Sequence, residues 1–432
     1  FLMSSDNSVF APEHTKIYQD MTQPLSHYFI DSSHNTYLLG HQLTGESSIE
    51  GYIRALQRGC RCVEIDCWDG PDGDPVVTHG HTWTSKILFR DVISAIRTYA
   101  FKASPYPLIL SLEVHCSIEQ QDNMSTILRI QLGDYLVTSF LSEHEMALPS
   151  PTELMYKILL KFKGFKYYRG NYITDENSSH YHMSSFTERA SSRLLKSEKK
   201  DFILHNTRHL SRVYPSGFRI NSSNFEPHHQ WAVGNQLVAL NWQTFDLGMQ
   251  IDQAMFAVNG RCGYVLKSES LRNPEMIVRS TELRRSPRNL NIEIISAQQL
   301  PRPKDAVKGE VIDPFVEVEL LVPGVDAVKK RTSTITDNGF NPTWKETLRF
   351  SIDFEETSLS YIIDAINLPT RFIVWDEDAR STDFIASYCI SVASLQLGYR
   401  HVPLNDFNGE QYLFTTLYIR SSIDDENGAK IN

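Results

Sequence analysis

The sequence predicts an α/β barrel of the (β/α)8, TIM-like kind, split into two halves and followed by an all-β sandwich. Three observations lead there. The stretch Cys60-Arg-Cys-Val-Glu-Ile-Asp-Cys-Trp68 alternates like a strand, so Glu64 and Asp66, two apart, project from one face. Neighbouring apolar runs also end in chemically capable residues: His34-Asn35 closes one, His79 follows Pro75 to Thr78, and Glu113 closes Leu108-Ile-Leu-Ser-Leu112. Four strand-like runs ending this way resemble the C-terminal rim of a barrel. Beyond about residue 289 the texture changes to period-two strands without intervening helices.

Taken in order, residues 1–24 are polar and turn-rich and read as an extended leader. From His27 strands and helices alternate. A strand at His27 to Asp31 precedes a helix near Ser48 to Arg58, the Cys60 strand, Pro75 to Thr78 as a strand, and a helix over Phe89 to Ala100. The strand ending at Glu113, a helix from about Gln120 to Leu132 and a strand at Tyr156 to Leu160 follow. The first half of the barrel is thus 25–163, and 164–180 is a short linker rich in Tyr, Asn, Ser and His. The second half, 181–270, reads as a helix at Ser185 to Leu195 and strands at Phe202 to Leu204, Ser211 to Tyr214, Gln236 to Trp242 and Gly263 to Lys267. A connector, 271–288, leads to the sandwich, 289–421, with strands at Asn289 to Ile295, Pro314 to Leu320, Thr347 to Ile352, Arg371 to Trp375 and Gln411 to Ile419; 422–432 is a tail.

At 432 residues with 41% hydrophobic content the chain has material for two or three domains with substantial cores. A formal net charge of -10 argues against a general nucleic-acid binder, so contact with an anionic membrane needs local patches or bound cations. The six cysteines show no paired spacing and read as small buried residues in a reducing compartment. No run of 18 apolar residues and no signal-peptide pattern is visible. The chain begins on Phe1 rather than Met and reads as part of something longer.

Two carboxylates side by side repel unless a proton or cation lies between them, so Glu64 and Asp66 form a shared-proton site or a metal site, and the acidic and amide neighbours favour metal. In the sandwich, Asp313 before a strand and Trp375-Asp-Glu-Asp378 with Asp383 form a second acidic constellation. Lys329-Lys-Arg331 is a basic run suited to lipid.

The strings Ser32-Ser-His-Asn-Thr-Tyr-Leu-Leu39, Gly59 to Gly70, His79-Gly80, Pro105 to Glu113, Lys157-Ile-Leu-Leu-Lys161, Leu210-Ser-Arg-Val-Tyr-Pro215 and Cys262 to Lys267 resemble eukaryotic phosphoinositide-specific phospholipase C. They run in that family's order, and the segments above correspond to its X half, linker, Y half and C2 domain. The architecture is most similar to the delta type, which normally has pleckstrin-homology and EF-hand domains upstream.

The resemblance implies a calcium-dependent phosphodiesterase, cytoplasmic and peripheral at the inner face of the plasma membrane, acting as a monomer on phosphatidylinositol 4,5-bisphosphate. One catalytic calcium would be held by Asn35, Glu64, Asp66 and Glu113. His34 would stabilise the pentacoordinate phosphorus and His79 would serve as general acid and then base, with either Glu64 or Glu113 taking the first proton. Lys161, Lys163, Ser185 and Arg212 would bind the headgroup, and Tyr214 would stack beneath the inositol ring. Leu43, Trp83 and Phe218 would form an apolar ridge entering the bilayer. Asp313, Asp376, Asp378 and Asp383, joined by Asp305, are the C2 calcium candidates. The linker, with Lys166, Arg169, Asp175 and Glu176, is close to neutral where the family's is often acidic, which predicts weak autoinhibition. The competing reading is a catalytically silent phosphoinositide- or calcium-binding scaffold of the same family.

Overall fold

Strand β3 (Cys62–Trp68) is the axis of the first unit, buried at every position but its last. The computed structural model describes residues 4–139, 147–162, 181–273, 275, 288–303, 311–352, 368–378, 381–425 and 429–431. Lys163, Asp305 and the linker 164–180 lie outside them.

Around β3 the strands β1 (Tyr28–Ile30), β2 (Ser32–Ser33), β6 (Leu108–Val114), β7 (Ile158–Phe162), β8 (Met183–Thr187), β9 (Leu210–Tyr214), β10 (Leu237–Leu240) and β11 (Tyr264–Leu266) build the barrel. Parallel ladders join them in the order β7-β6-β3-β2-β10-β9-β8, while β1 and β11 pair antiparallel. The expected rhythm therefore appears, among the described residues, as seven parallel staves and one antiparallel ribbon.

The helices are α1 (Ile49–Gln57), α2 (Phe89–Tyr99), α3 (Ile118–Leu132), α4 (Glu188–Ser197), α5 (Lys199–Arg208), α6 (His228–Trp231) and α7 (Leu247–Phe256). Phe89, Val92, Ile93 and Ile96 of α2 recur at helical spacing and are buried, which is why this segment is helical. Side-chain caps mark three starts: Ser48 accepts from Glu50 N, Thr187 from Ala190 N and Asp246 from Met249 N.

Three expectations need correction. Val76–Val77 (β4) is not a barrel stave; it pairs antiparallel with β3 and with β5 (Ile87–Leu88). The turn through Asp72 and Gly73, both at positive φ, leaves no room for the dozen or more residues a parallel crossover requires. Residues Phe202 to Leu204 are helical, within α5, because Phe202 and Ile203 share a buried face with Asn206 and Thr207 one turn on. The residues from Ser185 to Thr187, expected as helix, extend β8 because they pair with Arg212 to Tyr214 of β9.

The second unit comprises Phe1–Thr15, Gln253–Met255 and Val278–Asn432, the first Lys16–Asp252 and Phe256–Ile277. The expected leader thus divides: Val9 lies in the sandwich core and exchanges backbone hydrogen bonds with His401 and Gln396. Antiparallel strands run β14 (Val328–Arg331), β13 (Pro314–Leu320), β16 (Pro369–Glu377), β17 (Thr382–Ser391), β18 (Gly398–Asn405), β19 (Gln411–Asp425), β12 (Arg288–Gln298) and β15 (Thr343–Ile352), with β20 (Lys430–Ile431) on β19. Alternate residues such as Leu290, Ile292, Ile294, Val316 and Val318 fill the core. Residues 422–425 continue β19 rather than starting a tail. The basic run is edge strand β14, where Lys329 faces Glu319 and Arg331 Nη1 lies 2.9 Å from a Glu377 oxygen. All six cysteines are free.

Candidate active site

The parallel register of β3 and β6 sets Asp66 opposite Glu113, with Glu64 two residues back on the same face. Carboxylate oxygens of Glu64, Asp66 and Glu113 lie within 4.8 Å of one another. Asn35 reaches this cluster from the loop after β2. Its backbone is left-handed, φ 43°, a conformation asparagine tolerates better than most residues. Its N–H donates to Glu64 Oε2 at 3.0 Å and its Nδ2 to Gln42 Oε1 at 2.8 Å, so the amide oxygen is the end available to a cation.

Charge is distributed unevenly over the three acids. Burial pushes Glu64 upward, but Arg212, whose Nη2 lies 2.8 Å from Oε2, together with His34 and the Asn35 N–H holds it down at about 2. Asp66 is pushed well above the usual carboxylate range by burial and by the charge of Glu64. Tyr37 donates to its Oδ2 at 2.7 Å, whereas Oδ1 is buried with no hydrogen-bond partner among the described residues. Three converging carboxylates, one with an unpartnered buried oxygen, plus an amide oxygen form an all-oxygen set, which fits a hard divalent cation such as calcium.

Two histidines flank the cluster. Asn241 Nδ2 donates to Ser223 O, so its Oδ1 accepts; His34 Nδ1, 2.9 Å from that oxygen, carries a proton and leaves Nε2 for substrate. His79 Nδ1 donates to the Gln42 carbonyl at 2.6 Å, with the same consequence. Burial lowers the His34 pKa. Gly80 is required beside His79, since a Cβ there would meet the Trp68 ring at 1.8 Å.

These residues line one cleft of about 1330 Å³, shared with Lys161, Ser185, Arg212 and Tyr214. Lys161 Nζ donates to Ser111 Oγ, and burial with Arg212 nearby lowers its pKa to about 8. The Arg212 guanidinium sits 5.6 Å from the Tyr214 ring centre. Arg212, expected at the headgroup, also contacts the cluster acid Glu64, its Nη2 2.8 Å from Oε2. The three ridge residues are exposed, Leu43 at 39%, Trp83 at 90% and Phe218 at 78%. Trp83 N donates to Leu43 O and Gln42 N to Ile220 O, so their loops are tied together.

The sandwich acids behave differently. Asp376 lies across from Asp383 in one ladder and from Pro314, beside Asp313, in the other. Asp313 and Asp376 each accept a backbone N–H, from Asp337 and Asp313, and Asp383 accepts from Ser381 Oγ. Among the described residues, no three acids of this set bring oxygens as close as the barrel cluster does.

Gln42, Asn241, Tyr37 and His115, whose Nε2 donates to Glu113 Oε1 at 3.2 Å, were not singled out in the sequence. Asn241 carried the signal used elsewhere, a polar residue at the end of an apolar run; Gln42 carried none.

Three segments of the chain match known families. Residues 21–164 match the X domain of phosphatidylinositol-specific phospholipase C, 154–270 its Y domain, and 288–404 the C2 domain. The chain belongs to the phosphatidylinositol-specific phospholipase C family. Among curated relatives of this phospholipase C family, it is 41% identical to 1-phosphatidylinositol 4,5-bisphosphate phosphodiesterase delta-4 of Xenopus laevis, covering 98% of this chain and 63% of the relative. The Homo sapiens delta-1 enzyme is also 41% identical over 98% of the chain and 63% of its own length. A crystal structure of L. pealei PLC21 superposes with a TM-score of 0.85 at 32% identity, covering 98% of this chain and 59% of that one. The chain therefore spans about 63% of the curated relatives' length. Among its described residues no helix is long and apolar enough to cross a membrane.

Proposed function

We propose that the chain is the catalytic and C2 portion of a calcium-dependent phosphoinositide phospholipase C. It would act as a monomer, peripheral at the cytoplasmic face of the plasma membrane. The substrate is phosphatidylinositol 4,5-bisphosphate, cleaved to diacylglycerol and inositol 1,4,5-trisphosphate through a 1,2-cyclic phosphate. The observation carrying this reading is the convergence of Glu64, Asp66 and Glu113 between two histidines whose Nδ1 atoms are both anchored.

Asn35, Glu64, Asp66 and Glu113 would hold the calcium, which when bound lowers the pKa of the inositol 2-hydroxyl and offsets phosphate charge. That hydroxyl attacks its own neighbouring phosphodiester, so positioning supplies much of the rate. Glu113, at the cleft wall, suits the first proton acceptor better than Glu64, whose oxygen is held by Arg212 and the Asn35 N–H. His79, held through Nδ1, presents Nε2 to protonate the leaving diacylglycerol oxygen and then accepts a proton from the water that opens the ring. His34 faces the phosphate, and Lys161 with Ser185 and Arg212 supplies donors for the ring phosphates. One calcium is proposed for the barrel rim, and Asp313, Asp376, Asp378 and Asp383 stand as the candidate ligands of a second in the C2 domain.

The test is release of water-soluble inositol phosphates from mixed micelles with and without calcium. Replacing His79 by Leu is expected to lower turnover at least ~100-fold while calcium binding, read by titration calorimetry, stays intact. Undiminished turnover would remove His79 from the mechanism, and turnover independent of calcium would remove the whole reading.

A further inference from the structure

Outside the cleft, one cluster of metal-ligating side chains in the barrel is used by nothing described above. Glu226, His228 and His229 bring a carboxylate oxygen and two ring nitrogens within 4.8 Å of one another. His228 Nε2 lies 3.6 Å and His229 Nε2 3.8 Å from the same oxygen, Glu226 Oε2. Both separations exceed a hydrogen bond. They are near the spacing of two donors on one tetrahedral ion, roughly 3.4 Å for bonds of about 2.1 Å.

The His228 ring is 2% exposed, and its Nδ1 has no hydrogen-bond partner among the described residues. Pro227 between the acid and the first histidine restricts the backbone, so the three ligands on adjacent positions are held with little freedom.

We propose that Glu226, His228 and His229 form a binding site for a zinc-class divalent transition-metal ion. Two imidazoles and one carboxylate are softer than the all-oxygen cluster of the cleft, so calcium is a poor competitor here. Three protein ligands leave a coordination position open. Glu226 and His229 line a groove of about 500 Å³ whose other walls include Arg189, Arg193 and Lys196 beside Glu188, cationic side chains that would suit an anionic fourth ligand. Arg193 and Arg219 line both this groove and the cleft, which places the ion beside the catalytic wall.

The experiment uses chelator-treated full chain in excess calcium, titrated with cobalt(II) as a spectroscopic stand-in for zinc. One equivalent should bind with the ligand-field absorption of a low-coordinate site, zinc(II) should displace it, and zinc should raise the melting temperature. His229→Asn and Glu226→Gln, both at partly exposed positions, should each weaken binding at least tenfold and cancel the thermal shift. Glu64→Gln should leave both unchanged. No saturable cobalt binding by the wild-type chain, or binding undiminished in both variants, would overturn the site.

Discussion

Glu64 and Arg212 are only 7% and 3% exposed, and each compensates a charge the other could not leave buried alone. Arg212→Ala is therefore expected to destabilise the barrel by about 3–5 kcal/mol, read as a lower denaturant midpoint. Pairing it with Glu64→Gln should recover much of the loss, since no isolated charge remains. Lys161 shows a different consequence of burial. Its pKa, lowered from the ordinary lysine value to about 8, means its charge is lost as pH rises through that point. Affinity for a soluble inositol phosphate should then fall between pH 7 and 9 in the wild type, and Lys161→Arg should flatten the dependence because arginine stays protonated. A decline of equal steepness in the arginine variant would move the titration elsewhere.

At the level of elements, the hairpin β3–β4 does what a barrel stave was expected to do. It returns antiparallel after a short turn and so delivers His79 beside the carboxylates carried by β3 itself. Gly80→Ala forces a Cβ into the Trp68 ring, and the ring or the His79 loop must move. Turnover should drop at least ~100-fold, as expected when a reacting group is displaced by about 1 Å, with the melting temperature changing little by comparison. Wild-type turnover would show that the loop absorbs the methyl without moving His79. Element type was legible where apolar spacing was long, as in α2, and illegible where the run was three residues, as at Phe202. The short apolar run fits strand and helix alike, and only packing of Asn206 and Thr207 on the same face decides.

For the molecule as a whole, Trp83 and Phe218 are exposed on loops tied to the cleft rim through Leu43, Gln42 and Ile220. Large exposed apolar side chains gathered at one rim suit a lipid surface. Trp83→Ala with Phe218→Ala should lower hydrolysis on vesicles at least tenfold, about 1.4 kcal/mol, while hydrolysis of a soluble cyclic inositol phosphate is unchanged. Equal losses on both substrates would place these residues in the chemistry instead of the docking. The uncharged route matters because the formal charge of -10 offers no general attraction to an anionic bilayer.

Residue order alone determined the two fold classes and the candidate acids and histidines, because period-two and period-3.6 patterns and strand-end polar residues are local signals. Only the tertiary structure decided that Asp66 stands opposite Glu113, that Arg212 binds Glu64, and that Gln42 and Asn241 orient the histidines. Those relations join residues far apart in the chain, and ladder register and loop packing set them rather than any spacing readable along it.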